Sequence, residues 1–310
     1  MIIYAALGSD IFVPHRYHKE MTMARELYPW RLFSYHYHAN KKNEPSEAIL
    51  GSLDDQKTDP RVKLFLDSGA FSAYSMGAEI DVHRYGEFIL QTQERFTWDV
   101  VANLDIIGGT EQQNWDNLDI LEKMGCKNVS PVYHAGEDLI WLEQMKEKYP
   151  YILLGGLVTG DRKRVTQDLD RAFDQVLTDS YGEPVVQTHG FGLTQVDMML
   201  RFPWTSVDST SWAMSAAFGS SLFLLDGKVT QVIFSKESPS LKDTGMYHYS
   251  RMPDIMREKI DAMVEKCGVT AEDCYQGYPA RRIVNLNCFW DMSKLPQEPY
   301  RSTHFELGLF

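Results

Sequence analysis

Short apolar runs rich in β-branched and aromatic residues recur along the first two thirds of the chain, at 2–8, 31–38, 63–67, 99–107, 129–136, 151–158, 184–192 and 204–209. Between most of them the apolar residues repeat at three- and four-residue spacing, as at 85–96, 114–125 and 138–149, which is the period of a helix with one buried face. Eight buried strands alternating with helices predict an α/β fold, a (β/α)8 TIM barrel. The runs are apolar almost throughout, as parallel strands covered on both faces must be. Intervals 9–30 and 39–62 carry weaker helical patterning. Beyond the eighth run, residues 221–235 form two more β runs about Asp226-Gly227, a tight-hairpin dipeptide. Helices are predicted over 252–268 and 280–292. The expected organisation is therefore one barrel domain over 1–310: staves across about 2–209, a β-hairpin insertion after strand eight at 217–235, and a helical C-terminal segment over 245–310.

Composition narrows the setting. No run of about 18 apolar residues occurs, and the opening MIIYAALGSD lacks the basic flank of a signal peptide, so a cytoplasmic protein without membrane contact is expected. Four cysteines in 310 residues make no disulfide framework. A net charge of -12 excludes a protein that coats nucleic acid through bulk positive potential but leaves room for a local basic groove. The clusters 161–164 and Arg281-Arg282 have a solvated surface as their plainest reading.

In barrels of this kind the site is built where strands end at the C-terminal rim. Polar or backbone-exposing residues close the runs there: Asp67, Asp105, His134, Gly155-Gly156, His189 and Asp208. Each Asp alone has a helix-capping or turn role as its alternative, and the glycine pair has tight packing. Taken jointly, three carboxylates at one rim fit a pocket in which one acts as nucleophile and another as general acid/base.

The ordered set Asp67-Ser68-Gly69-Ala70-Phe71-Ser72, Asp105, Gly155-Gly156-Leu157, Gly190-Phe191-Gly192 and Val207-Asp208, followed by a hairpin turned on Asp-Gly, resembles the tRNA-guanine transglycosylase (queuine tRNA-ribosyltransferase-like) superfamily over roughly 64–235. The resemblance implies base exchange through a covalent glycosyl–aspartate. Asp208 would be the nucleophile and Asp67 the general acid/base. Asp105 and Gly156, with Leu157 and Ser68 beside them, would bind the guanine-like ring, and Phe71 and His189 would sandwich it. His134 stands where the family has Gln and is taken as lining the substrate. The chain departs from the family pattern at Ser72, at Ser209-Thr210-Ser211 after the nucleophile, and in having no C-x-C-x-x-C zinc motif and no appended RNA-binding domain. In these respects it is similar to the DpdA-like 7-deazaguanine DNA transglycosylases of phages and bacteria. DNA is thus the preferred polymer over tRNA, with a base such as 7-cyano-7-deazaguanine as the incoming partner, and the host cytoplasm as the setting if the chain is phage-encoded. No cofactor is required on this reading. Cys267, Cys274, Cys288 and His304 are weighed as structural zinc ligands against simple buried thiols.

Two other classes stay open at this point. His36 and His38, two apart on an expected strand, would point the same way. With His134, His189 and Asp208 they resemble an amidohydrolase-type metal site. A non-catalytic nucleic-acid-binding barrel is the third.

Overall fold

In the computed structural model of the protein, residues 1–6, 28–158, 161–193, 195–235, 247–297 and 300–301 are described. Nine parallel strands form one sheet: β1 (Ile2–Ala6), β2 (Trp30–Ser34), β3 (Lys63–Asp67), β4 (Val100–Ala102), β5 (Val129–Ser130), β6 (Val132–His134), β7 (Tyr151–Gly155), β8 (Gln187–Gly190) and β9 (Ser206–Ser209). Their order, β5-β4-β3-β2-β1-β9-β8-β7-β6, is that of a (β/α)8 barrel. The two ends, β5 and β6, are separated by Pro131 alone, so the ring closes through one bent stave. Proline has no N–H to give a ladder, but its carbonyl accepts from Leu153 N at 2.9 Å while Asn103 N donates to Ser130 O at 2.9 Å. The stave is thus bonded to a neighbour on each side of the bend.

Helices follow most staves: α1 (Tyr35–His38), α2 (Glu47–Thr58), α3 (Ala70–Ser75), α4 (Val82–Gln93), α5 (Glu111–Met124), α6 (Leu139–Lys148), α7 (Arg162–Ala172), α8 (Val196–Arg201) and α9 (Ser211–Ala217). Their starts are written in the sequence. Ser46, Asp81, Thr110, Asp138 and Asp161 each accept a backbone N–H of the first turn, and Thr110 with Gln113 completes a capping box, satisfying donors that a helix start leaves open.

The barrel wall divides two cores by residue parity. Tyr4, Ala6, Leu32, Phe65, Val100, Ala102, Val132 and Leu153 pack together inside. Their chain neighbours Ile3, Ala5, Phe33, Leu64, Leu66, Val101, Ile152 and Leu154 belong to the larger cluster and pack under the helices. With side chains alternating along a strand, the next inward positions toward the C-terminal rim are Ser34, Asp67, His134 and Gly155; His189 on β8, level with Leu153, and Asp208 on β9 also face inward.

After β9 come an antiparallel hairpin, β10 (Ser220–Leu225) and β11 (Lys228–Ile233), the short parallel β12 (Tyr247–His248), and helices α10 (Asp254–Lys266), α11 (Ala271–Gln276) and α12 (Tyr278–Ser293). Asp226 and Gly227 turn the hairpin at φ of 50° and 75°, the paired positive values of a type I′ turn. Buried Asn285 on α12 fastens the unit to the barrel: its Oδ1 accepts from Leu222 N at 2.7 Å and its Nδ2 donates to Trp212 O at 2.7 Å. Trp212 Nε1 donates in turn to Ala6 O at 2.8 Å. Arg281 is not a solvated basic residue. It is buried, and its guanidinium caps the ends of two helices by donating to Ala216 O and Cys274 O.

Among the described residues no helix is long and apolar enough to cross a membrane.

Candidate active site

The staves bring Asp105 and Asp208 within electrostatic reach of Asp67 at the rim. Asp67 is the last residue of β3, paired in register with Ser34 at the end of β2. Burial, and after it the charges of Asp105 and Asp208, raise its carboxyl from 3.8 to about 7; Gly69 N–H and Ser34 Oγ pull the other way. Among the described residues that buried hydroxyl meets no partner at full hydrogen-bond geometry, so its help to the anion is slight. Gly69 makes the turn at φ 78°, where a Cβ would fall 2.3 Å from Ser34 Oγ and 2.6 Å from His36 Cβ. A side chain there would meet both strain and collision. Ser68 is buried, with its Oγ accepting from Ala70 N at 3.3 Å. The turn leads into α3, which carries Phe71 at the rim, 57% exposed.

Asp208 is 6% exposed. Its Oδ1 accepts from Gly192 N at 2.8 Å and lies 3.2 Å from His189 Nε2. His189 is fully buried, its ring packed against Phe65 (centroids 4.6 Å apart), Phe191 (4.8 Å) and Tyr4 (6.1 Å). It offers no open face to a base, contrary to the sandwich expected from its place beside the G-x-G turn. Its inward position one tier below the rim aims it at Asp208 instead. Nδ1 lies 2.5 Å from Ser206 Oγ, which is 2.7 Å from the Tyr151 hydroxyl.

Asp105 follows β4, and its Oδ2 lies 3.0 Å from His134 Nε2. His134 Nδ1 is 2.9 Å from Glu137 Oε1, and its backbone N donates to Glu137 Oε2 at 3.0 Å. Burial alone would lower this imidazole. Hydrogen bonds to Asp105 and Glu137 and the charges of both outweigh it, raising His134 to about 10. Both ring nitrogens are taken, so His134 holds Asp105 rather than presenting a free donor to substrate. The ring lies over Gly155, where a Cβ would fall 2.8 Å from His134 Cδ2. Gly156, at φ 73°, has room around it, nothing being nearer than 3.6 Å to an added Cβ. Its backbone, with half-buried Leu157 after it, is exposed at the rim. Beside Asp105 a cavity of about 620 Å³ opens between α3 and the 104–107 segment, walled by Tyr74, Ile80, Leu104 and Ile106.

The histidines of YHYH do not face one way. The strand ends at Ser34, and residues 35–38 form a helical turn, in which positions two apart diverge. His38 is buried, bonded through Nδ1 to Ser46 Oγ at 2.8 Å, and lowered by burial to about 4. His36 rests on Tyr37. Among the described residues no group of three or more His, Cys, Asp or Glu side chains is arranged to hold a metal ion. Cys267, Cys274 and Cys288 are buried thiols on or beside the C-terminal helices, each raised by burial to about 12. Of the two readings weighed for them, buried thiols and zinc ligands, these three match the first, since among the described residues they form no metal-holding group; His304 lies outside the described residues.

Three participants escaped the sequence, Glu137, Ser206 and Tyr151, while Gly192 was noted only as part of the G-x-G turn and not as a donor to Asp208. The faint signals were Glu137 three residues past a strand-ending His, and Ser206 and Tyr151 on the inward parity of their staves.

No protein-family model matches this chain, and none of the curated proteins is similar to it at a significant level.

Proposed function

We propose that the protein is a pentosyltransferase that exchanges guanine in a nucleic acid, with DNA preferred over tRNA, for a 7-deazaguanine base through a glycosyl–aspartate intermediate. The observation that carries this reading is the pairing of Asp67, raised to about 7, with Asp208, anchored among the described residues through Oδ1, at one barrel mouth. Two carboxylates with different environments take different roles.

In the first half-reaction Asp208 Oδ2 bonds to C1′ as the C1′–N9 bond breaks. The bonding electrons leave on guanine, which takes the proton of Asp67. In the second, the Asp67 carboxylate removes the N9 proton of the incoming base. The freed nitrogen pair bonds to C1′ and returns Asp208 to its carboxylate. A group near 7 supports both directions at neutral pH. Asp105, held by His134, would accept from N1–H and the exocyclic amine, and Gly156 N–H would donate to O6. Exposed Phe71 would meet one face of the base. The target nucleotide must leave its stack to enter. The choice of DNA rests on the departure from the family pattern at Ser209-Thr210-Ser211 and on the missing C-x-C-x-x-C motif.

The test is to incubate the protein with labelled 7-cyano-7-deazaguanine and either duplex DNA or tRNA. Label is expected in DNA, with none from D208N. Label in neither polymer, in an assay that a characterised enzyme passes, rejects the proposal; label in tRNA alone keeps the chemistry and reverses the polymer.

A further inference from the structure

We infer that Tyr151, Ser206 and His189 form a directed hydrogen-bond relay that fixes the His189 imidazole as its Nε2–H tautomer and pins Asp208 Oδ1, leaving Oδ2 as the oxygen that faces substrate. The part of this concerning reaction rests on the function proposed above; the tautomer does not.

The direction follows from valence. An ionised carboxylate only accepts, so the 3.2 Å contact between His189 Nε2 and Asp208 Oδ1 needs the proton on Nε2. A neutral imidazole then has only a lone pair on Nδ1, and its neighbour at 2.5 Å, Ser206 Oγ, must donate. A hydroxyl has one proton. Having given it to His189, Ser206 can only accept from the Tyr151 hydroxyl at 2.7 Å. Tyr151 can supply that bond, because burial pushes its phenol up to about 12 and it keeps its proton. With the ring neutral, as its enclosure by apolar rings favours, one assignment satisfies all three contacts.

The three residues sit on inward positions of β7, β8 and β9, with His189 and Ser206 paired in register. The rings of Phe65, Phe191 and Tyr4 enclose the imidazole and leave it no rotamer freedom. His189 is accordingly a positioning residue. With Gly192 N–H it supplies two donors to Oδ1. When Oδ2 carries the sugar, Oδ1 becomes the ester carbonyl and still accepts both bonds, so nothing at the anchor need move between half-reactions.

The experiment is long-range ¹H–¹⁵N correlation NMR on histidine-labelled full-length protein at neutral pH, with His189 assigned by its loss in H189Q. The expected pattern is a neutral ring protonated on Nε2. S206A, which removes the bond accepted by Nδ1 but leaves Asp208 against Nε2, should move the Nδ1 resonance downfield with the ring still protonated on Nε2, while S206T and Y151F keep the wild-type pattern. In the labelled-base assay S206A should lower kcat about tenfold or more with KM little changed, and S206T should restore it. A wild-type ring protonated on Nδ1, a cationic ring, or an S206A spectrum like the wild type would overturn the relay, and the wild-type spectrum alone suffices if variants fail to fold. The expected tautomer in a protein that labels neither polymer would uphold the relay and reject base exchange.

Discussion

Asp67 and His134 are both raised, the first because burial disfavours its charged form and the second because two carboxylates favour its charged form, and each gives a prediction. Asp67 is raised from 3.8 to about 7, so the folded chain holds this proton more tightly than the unfolded one. Its contribution therefore favours folding while the group is protonated and is lost as pH rises from about 4 to 7. D67N should stabilise the protein at pH 8 by roughly 1–3 kcal/mol and change it little at pH 4, measured by urea denaturation; equal effects at the two values would contradict the buried-charge account. His134, raised from 6.5 to about 10, stabilises fully below 6.5 and loses that contribution as pH climbs through 10. E137Q, which removes one of its two carboxylate partners, should thus cost stability at pH 7 and little at pH 10.5. The three aspartates were legible because each stands at the polar end of an apolar run. Glu137, Ser206 and Tyr151 were not, since what makes them functional is a neighbour across a turn or on another stave. The buried ring of His189 misled for the same reason: its place beside the G-x-G turn is local, whereas the aromatic enclosure comes from β1, β3 and residue 191.

Strand and helix boundaries show where local pattern yields to its surroundings. The run 63–67 is the stave observed, and predicted helices at 85–96, 114–125 and 138–149 correspond to α4, α5 and α6 with small shifts. The run 31–38 was read too long. Its alternation continues past Ser34, but the neighbouring stave ends at Asp67, opposite Ser34, and turns away at Gly69. With no partner beyond that point, YHYH winds into a helical turn. The run 129–136 is divided by Pro131 for want of an N–H. The region 39–62 hid α2, whose helical face is weakly apolar. Two substitutions test element geometry. G69A should destabilise by about 2 kcal/mol or more through its left-handed backbone and the clash with Ser34. N285A should cost about 2–3 kcal/mol by leaving the buried Leu222 N–H and Trp212 carbonyl without their partner. Both are checked by chemical denaturation, and an effect below about 0.5 kcal/mol in either would show the contact to be dispensable.

At the scale of the molecule, the fold was readable from the alternation of runs, while closure of the ring through a bent stave and the clamp of α12 on the hairpin were not, being set by contacts remote in sequence. That clamp runs from the hairpin through Asn285 and Trp212 to β1. It predicts that far-ultraviolet circular dichroism and tryptophan fluorescence report one coincident unfolding transition, which N285A lowers for both probes together; two separated transitions would mean that the hairpin and C-terminal helices fold apart from the barrel. Asp67 and His134 occupy the same inward rows as Phe65 and Val132, one storey higher. A descendant that filled that storey with leucine or phenylalanine would inherit a sturdier plug with no titratable group at the mouth; on the function proposed, the charge kept there at the expense of stability is what base exchange requires.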